Sequence, residues 1–221
     1  AKNPDLYPLQ GDQQKRQQYS IYGAWQPSDQ FSLWADFNNY EETDHQKSLV
    51  FIPPSNVKQY KVEDIERQRA SAGTKFTLFD QYKFDLKAVH ETYDTVSTQT
   101  TDGYLSALRN SNQENNHFSS QVSLPTWYQQ NWQFGYDWHE DKLSQSNNGK
   151  FEMQGGDVSR QRHEFYVQND AKVNDKLDAV LGWRFQNDED FGDHVLVLLG
   201  LLLRNVPVLA PRVFQLFVFE H

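Results

Sequence analysis

The stretch Tyr82-Lys83-Phe84-Asp85-Leu86-Lys87-Ala88 decides the fold. Phe84, Leu86 and Ala88 fall on one side of an extended chain, and Lys83, Asp85 and Lys87 fall on the other, because successive side chains of a strand point to opposite faces. The same period recurs on both sides of it. Phe31, Leu33, Ala35 and Phe37 alternate with Ser32, Trp34, Asp36 and Asn38. Trp132, Phe134, Tyr136 and Trp138 alternate with Gln133, Gly135, Asp137 and His139. Leu177, Ala179, Leu181, Trp183 and Phe185 alternate with Asp178, Val180, Gly182 and Arg184. Helical spacing is scarce, and a short helix is expected only at about Val62 to Ala72.

Alternation alone fits any half-buried antiparallel sheet. The connections discriminate better. Short turns stand at Gln26-Pro27-Ser28-Asp29, Asp80-Gln81, Tyr128-Gln129-Gln130-Asn131 and Val173-Asn174-Asp175-Lys176. Between them lie longer polar stretches: Tyr40 to Glu66, Asp94 to Glu114, Glu140 to Ser159, and a shorter Asn187 to His194. Short turns at one end and long loops at the other are the rhythm of an up-and-down transmembrane barrel; a soluble sandwich has less reason to keep it. The expected fold is therefore all-β: an antiparallel up-and-down transmembrane β-barrel. About ten strands are read, near 17–26, 30–41, 67–79, 82–95, 114–126, 131–143, 160–172, 177–186, 195–204 and 208–219. Trp25, Trp34, Trp127, Trp132 and Trp138 fall near strand ends, where interfacial girdles lie.

Composition agrees by exclusion. The chain has 221 residues and a net charge of -9, a poor charge for coating nucleic acid. Cys is 0, which removes disulfide scaffolds, thiolate metal sites and cysteine nucleophiles. Mean hydropathy is -0.83, yet 14% of residues are aromatic, more than disordered chains carry. No apolar run is long enough for a membrane helix. A barrel survives that test, because it shows lipid only every second residue. Ala1-Lys2-Asn3-Pro4 lacks a charged-then-apolar leader, so the sequence reads as a mature or trimmed chain.

The segment 195–219 departs from the alternation. Val195 to Leu199, Leu201 to Leu203 and most of Val206 to Phe219 are apolar, interrupted by Gly200, Pro207 and Pro211. Such runs suit a strand pair buried on both faces, or a segment packed inside the barrel.

Several of these residues resemble barrel strands of TonB-dependent outer-membrane receptors. The resemblance rests on Arg162 to Asn169, then Lys176 to Phe185 with Gly182-Trp183-Arg184, then Phe191-Gly192. Phe134-Gly135-Tyr136-Asp137-Trp138 followed by Asp141-Lys142-Leu143 is similar to the family's preceding strand. Asn3-Pro4-Asp5-Leu6-Tyr7-Pro8 is similar to its Asn-Pro-Asp-Leu-x-Pro-Glu element, with Leu9 where Glu is expected. His194 to Leu199 looks like a plug-domain strand without the Asp-Gly that should follow. The likenesses cover a third to half of the chain and stand out of family order. The chain is also too short for a plug and a barrel of about 22 strands. The resemblance therefore implies the barrel portion, or a fragment, of such a receptor. It further implies a Gram-negative outer-membrane location and uptake of a scarce ligand such as an iron chelate or a cobalamin. The implied partners are membrane lipid, the small-molecule ligand and a TonB-type energy-coupling protein. No amino-terminal energy-coupling box is visible.

Candidate chemical sites are few. Alternation puts Asp137, His139 and Asp141 on one face of one strand, so an acid–base pair or a metal ligand set is conceivable. A hydrated lumen column balanced by Lys83, Lys87 and Arg184 is the favoured reading. Asn187-Asp188-Glu189-Asp190 with Asp193 carries oxygen ligands for calcium, but lacks EF-hand spacing, so an acidic solvated loop is favoured. Asp36, Glu41, Glu42, Asp44 and His45 carry the same ambiguity. Gly155-Gly156 has no phosphate-loop Lys-Ser or Lys-Thr after it and reads as a turn. Phe51-Ile52-Pro53-Pro54 marks an exposed apolar loop tip. No Gly-x-Ser-x-Gly elbow occurs.

The expectation is one barrel domain over 1–221, acting as a receptor or transporter with no catalytic residues, metal site or cofactor, and no nucleic-acid partner. The ligand-binding residues are unassigned beyond the loops and upper lumen. The rivals are a small outer-membrane barrel enzyme, a protease or lipase using Asp137, His139 and Asp141, and a soluble β-sandwich binding module.

Overall fold

The computed structural model describes residues 13–153, 156–174, 177–203 and 213–220, the stretches 201–203 and 213–220 by backbone alone. The Asn3-to-Pro8 motif, Gly155, Pro207 and Pro211 lie outside the described residues, as do 175–176 of the fourth short turn. The strands are β1 Gln13–Ser28, β2 Phe31–Ile52, β3 Ser55–Leu78, β4 Tyr82–Thr101, β5 Tyr104–Ser123, β6 Gln130–Asn147, β7 Lys150–Phe151, β8 Val158–Asn174, β9 Leu177–Asp188, β10 Gly192–Leu203 and β11 Val213–Glu220. They form one sheet in the order β1-β2-β3-β4-β5-β6-β8-β9-β10-β11, with the short β7 on β6. Neighbours are antiparallel throughout. The sheet is open: among the described residues, β1 pairs only β2 and β11 pairs only β10. β10 and β11 continue the sheet as its last two strands rather than crossing its face.

Register turns the alternation into two faces. Leu33, Thr74, Leu86, Ser120, Tyr136, Phe165, Phe185 and Val195 are successive cross-strand partners from β2 to β10. One residue along, Trp34, Gly73, Lys87, Ser119, Asp137, Glu164, Gln186 and His194 form the matching row on the other face. Around these two rows from β2 to β9, apolar and polar residues largely separate, as in a barrel wall with lipid outside and an aqueous lumen inside.

Burial is inverted relative to a soluble domain. Among the described residues no hydrophobic side chain is buried, whereas Ser71, Glu164, Asn169 and Asp188 are. Ile21, Trp25, Phe37, Phe165, Leu181 and Trp183 stand exposed on the apolar face. A sandwich would cover them with a second sheet; only one sheet exists among the described residues, so the soluble-sandwich expectation is corrected.

Two further expectations are corrected. Val62 to Ala72 is not helical but lies inside β3, paired to β2 on one side and β4 on the other. Two complete ladders outweigh the local helical tendency of its Glu and Arg residues. The long polar stretches are also largely strand. β2 and β3 run 22 and 24 residues and meet at a Pro53-Pro54 turn, and β4 and β5 run 20 each and meet at Asp102-Gly103. A tilted strand crosses a bilayer in about 9–11 residues, so roughly half of each of these strands projects beyond the membrane.

Candidate ligand-binding wall

The polar face is knitted by side chains that meet along a strand and, through register, between strands. Trp34, expected in the interfacial girdle, lies on this face, its indole covering Gly73 of β3. Tyr166 of β8 lies across Gly135 of β6 and donates its hydroxyl to Gln121 Oε1 on β5 at 3.2 Å. Asp36 accepts from Ser71 Oγ and from Asn38 Nδ2 at 3.0 Å. Lys75 Nζ lies 3.0 Å from Asp85 Oδ2. Glu164, 3% exposed, is held between Arg162 Nε at 2.9 Å and Arg184. Ser71–Asp36, Lys75–Asp85 and Arg184–Glu164 cross between strands, whereas Asn38–Asp36 and Arg162–Glu164 lie two apart along one strand.

Asp137, His139 and Asp141 share this face, as the alternation requires. The structure adds a residue that spacing could not supply. His117 of β5 is the cross-strand partner of His139, and the two imidazoles stack with centroids 4.1 Å apart at 7°. His117 Nε2 stands 3.7 Å from Asp137 Oδ1, beyond hydrogen-bond reach. Lys83, Lys87 and Arg184 occupy the same face, but Arg184 is committed to Glu164 rather than to Asp137. Among the described residues no three His, Asp or Glu side chains are disposed to hold a metal ion.

The acidic segment after β9 is built differently from a solvated loop. Asp188 is 2% exposed. Its carboxylate takes the Arg160 guanidinium, with Nε at 3.0 and 3.1 Å from its two oxygens, and the backbone N–H groups of Asp190 at 3.0 Å and Phe191 at 3.3 Å. Arg160 also sits 4.6 Å over the Phe191 ring. The Arg160 hydrogen bonds, helped by the two backbone donors and opposed by burial, hold the Asp188 carboxyl down at about 2. Asn187 Nδ2 donates to Asp193 Oδ1 at 2.6 Å. The oxygens of Asp188 are occupied by protein donors that close the hairpin.

The acidic run of β2 is split by the strand. Asp36, Glu42 and Asp44 share the polar face, and Glu41 and His45 lie opposite. Glu42 accepts from Tyr40 and Gln14 and pairs with Arg16 Nε at 3.3 Å. Phe51 and Ile52 are exposed at the β2–β3 tip, as expected.

No protein-family model matches the sequence, and no curated protein matches it. Solved structures do. The siderophore receptor PirA from Acinetobacter baumannii aligns at a TM-score of 0.67 with 17% identity, over 87% of this chain and 32% of that one. A mutant of the ferric enterobactin receptor PfeA from Pseudomonas aeruginosa aligns at 0.63 with 13% identity, over 91% and 33%. BauA, the ferric preacinetobactin receptor from Acinetobacter baumannii, aligns at 0.53 with 12% identity, over 87% and 35%. The chain thus spans about a third of the length of the receptors it matches. Its sheet has the up-and-down fold of part of the barrel of these siderophore receptors, with open edges among the described residues.

Proposed function

We propose that this chain is one domain, a section of the wall of a TonB-dependent outer-membrane receptor that takes up an iron chelate. The observation that carries this reading is the inverted burial: among the described residues an apolar outer face has no buried hydrophobic core beneath it, and the buried side chains are polar. A sheet of that kind is stable only with lipid on one side and water on the other. The projecting halves of β2 to β5 provide an extracellular wall on which a ligand is caught before it enters the lumen. The ligand, membrane lipid and an energy-coupling protein of TonB type are the partners in this reading, and the location is the outer membrane of a Gram-negative bacterium. The similar structures are described as siderophore receptors, which favours an iron chelate over a cobalamin.

The test is reconstitution of the chain into vesicles containing brominated lipid. Outward tryptophans such as Trp132, Trp138 and Trp183 are expected to be quenched, and radiolabelled iron is expected to bind only as its chelate. A monodisperse chain in detergent-free buffer, with unquenched tryptophan emission, would remove the reading.

A further inference from the structure

The apolar face of β2 to β6 is uneven. Ala35, Ala72 and Ala88 are successive cross-strand partners on β2, β3 and β4, and the same row runs on into Phe118 of β5 and Trp138 of β6. Ala70 is the next residue of this face on β3 toward the projecting hairpins. Leu33 and Leu86 bound the alanines on the side of the short turns. The four alanines are exposed. Together with Phe118 and Trp138 they line a recess of about 580 Å³ that opens on the lipid side. A wall packed only by lipid loses dispersion contacts at a hollow unless something slender fills it.

The upper end of the recess is polar and charged. His90 and Asn116 line it there, with His90 Nδ1 and Asn116 Oδ1 2.7 Å apart. Asn116 Nδ2 donates to Glu114 Oε1 at 2.9 Å and to Glu140 Oε2 at 3.0 Å. Lys142 Nζ lies 3.6 Å from Glu114 and 3.1 Å from Glu140. Over β3 to β6, the first three outward rows beyond the alanines hold Glu66, Asp94, Glu114 and Glu140 against the single ammonium of Lys142. Such a collar repels an anionic headgroup and attracts an ammonium. Each carboxylate has more lone pairs than these bonds use, so it can accept from a further donor.

Resting on the lipid-facing wall of the receptor reading, we infer that this recess is a site for one phosphatidylethanolamine molecule. An acyl chain lies over Ala35, Ala72 and Ala88 against Phe118 and Trp138. The phosphate meets Lys142, and the ammonium meets Glu114 and Glu140. The alanines admit the chain, and the two glutamates select the headgroup.

The test is native mass spectrometry of the 221-residue chain in detergent micelles, titrated with phosphatidylethanolamine or with phosphatidylglycerol of the same acyl chains. One retained phosphatidylethanolamine is expected, at about two- to fivefold the level of phosphatidylglycerol, the worth of one exposed ion pair. Ala72→Leu with Ala88→Leu fills the recess from the lipid side and should abolish that retention. Glu114→Gln with Glu140→Gln leaves Lys142 alone and should reverse the preference toward phosphatidylglycerol. Far-UV circular dichroism confirms that both double variants fold. Equal or greater retention of phosphatidylglycerol by the parent, or undiminished phosphatidylethanolamine on the leucine variant, would overturn the site and leave the receptor reading standing. A chain that is monodisperse without detergent and retains neither lipid would overturn both.

Discussion

Trp34 and Gly73 are cross-strand partners, and the indole fills the place a side chain at residue 73 would need, its ring atoms 2.7 Å from an ideal β-carbon position. Tyr166 does the same at Gly135, its phenol ring lying over the β-carbon position there. Gly73 and Gly135 on the polar face are thus sockets for an aromatic ring from the next strand. Each ring spans its neighbour and fixes register where the outer face has only lipid to pack against.

Gly73→Ala should displace Trp34 and cost about 1–3 kcal/mol, the usual range for forcing atoms into an occupied site. Gly135→Ala should cost at least as much, because it also pulls the Tyr166 hydroxyl from Gln121. Gly23→Ala is the control, since nothing lies within 4 Å of its β-carbon position. Urea midpoints of the chain in vesicles order the three variants. A Gly73→Ala variant as stable as Gly23→Ala would refute the socket.

The two faces should respond oppositely to charge. Leu86 lies on the apolar face near the middle of the membrane-spanning part of β4, and Ser119 lies on the polar face at the same depth of β5. Leu86→Arg should destabilise by about 2–4 kcal/mol, the price of an arginine at the bilayer midplane. Ser119→Arg, between Lys87 and Asp137, should stay within about 0.5 kcal/mol of the parent. Folding yield into vesicles reads both. Equal penalties would mean that the sheet is not a wall between lipid and water.

The β9–β10 hairpin should come apart in acid. Arg160 and two backbone donors hold the Asp188 carboxyl at about 2, below its ordinary value of 3.8. A depressed carboxylate stabilises the fold fully above its unfolded pKa, and the contribution is lost as pH falls through the folded value. Amide protection of Asp190 and Phe191 should therefore be steady above about pH 5 and decline from pH 4 toward 2. Asp188→Asn should show weaker protection throughout and no such decline. An unchanged acid profile in that variant would mean that Asp188 does not lock the turn.

These relationships divide by how far apart their residues lie in sequence. The faces were legible because alternation is local: Phe84, Leu86 and Ala88 announce their side within five residues. Where a strand is polar on both faces, that signal vanishes. This is why residues 40–66 and 94–114 read as loops although they hold the upper halves of β2 to β5. A different local signal did survive there. Asp102-Gly103 and Asn148-Gly149 have positive φ at both residues, the backbone of a tight primed hairpin turn, and both dipeptides are characteristic of it. They mark the ends of the projecting hairpins. The candidate site was not legible at all. Arg67 and Glu91 are 24 residues apart, and Arg160 and Asp188 are 28 apart. Only register, set by dozens of other pairs, brings them together.

The same register decides what His139 does. Its ring stacks on His117, and the imidazole–carboxylate approach at this cluster is 3.7 Å, longer than the reach of about 2.6–3.2 Å over which a general base takes a proton. A stacked ring pair contributes about 0.5–1.5 kcal/mol beyond its buried area. His139→Ala should therefore lower the unfolding free energy by about that amount, with His117→Ala costing no more when added to it, because the two changes remove one contact. If His139→Ala instead abolished a measurable hydrolysis of peptide or ester by a fully folded chain, the stack would be catalytic machinery, and a barrel enzyme would replace the receptor.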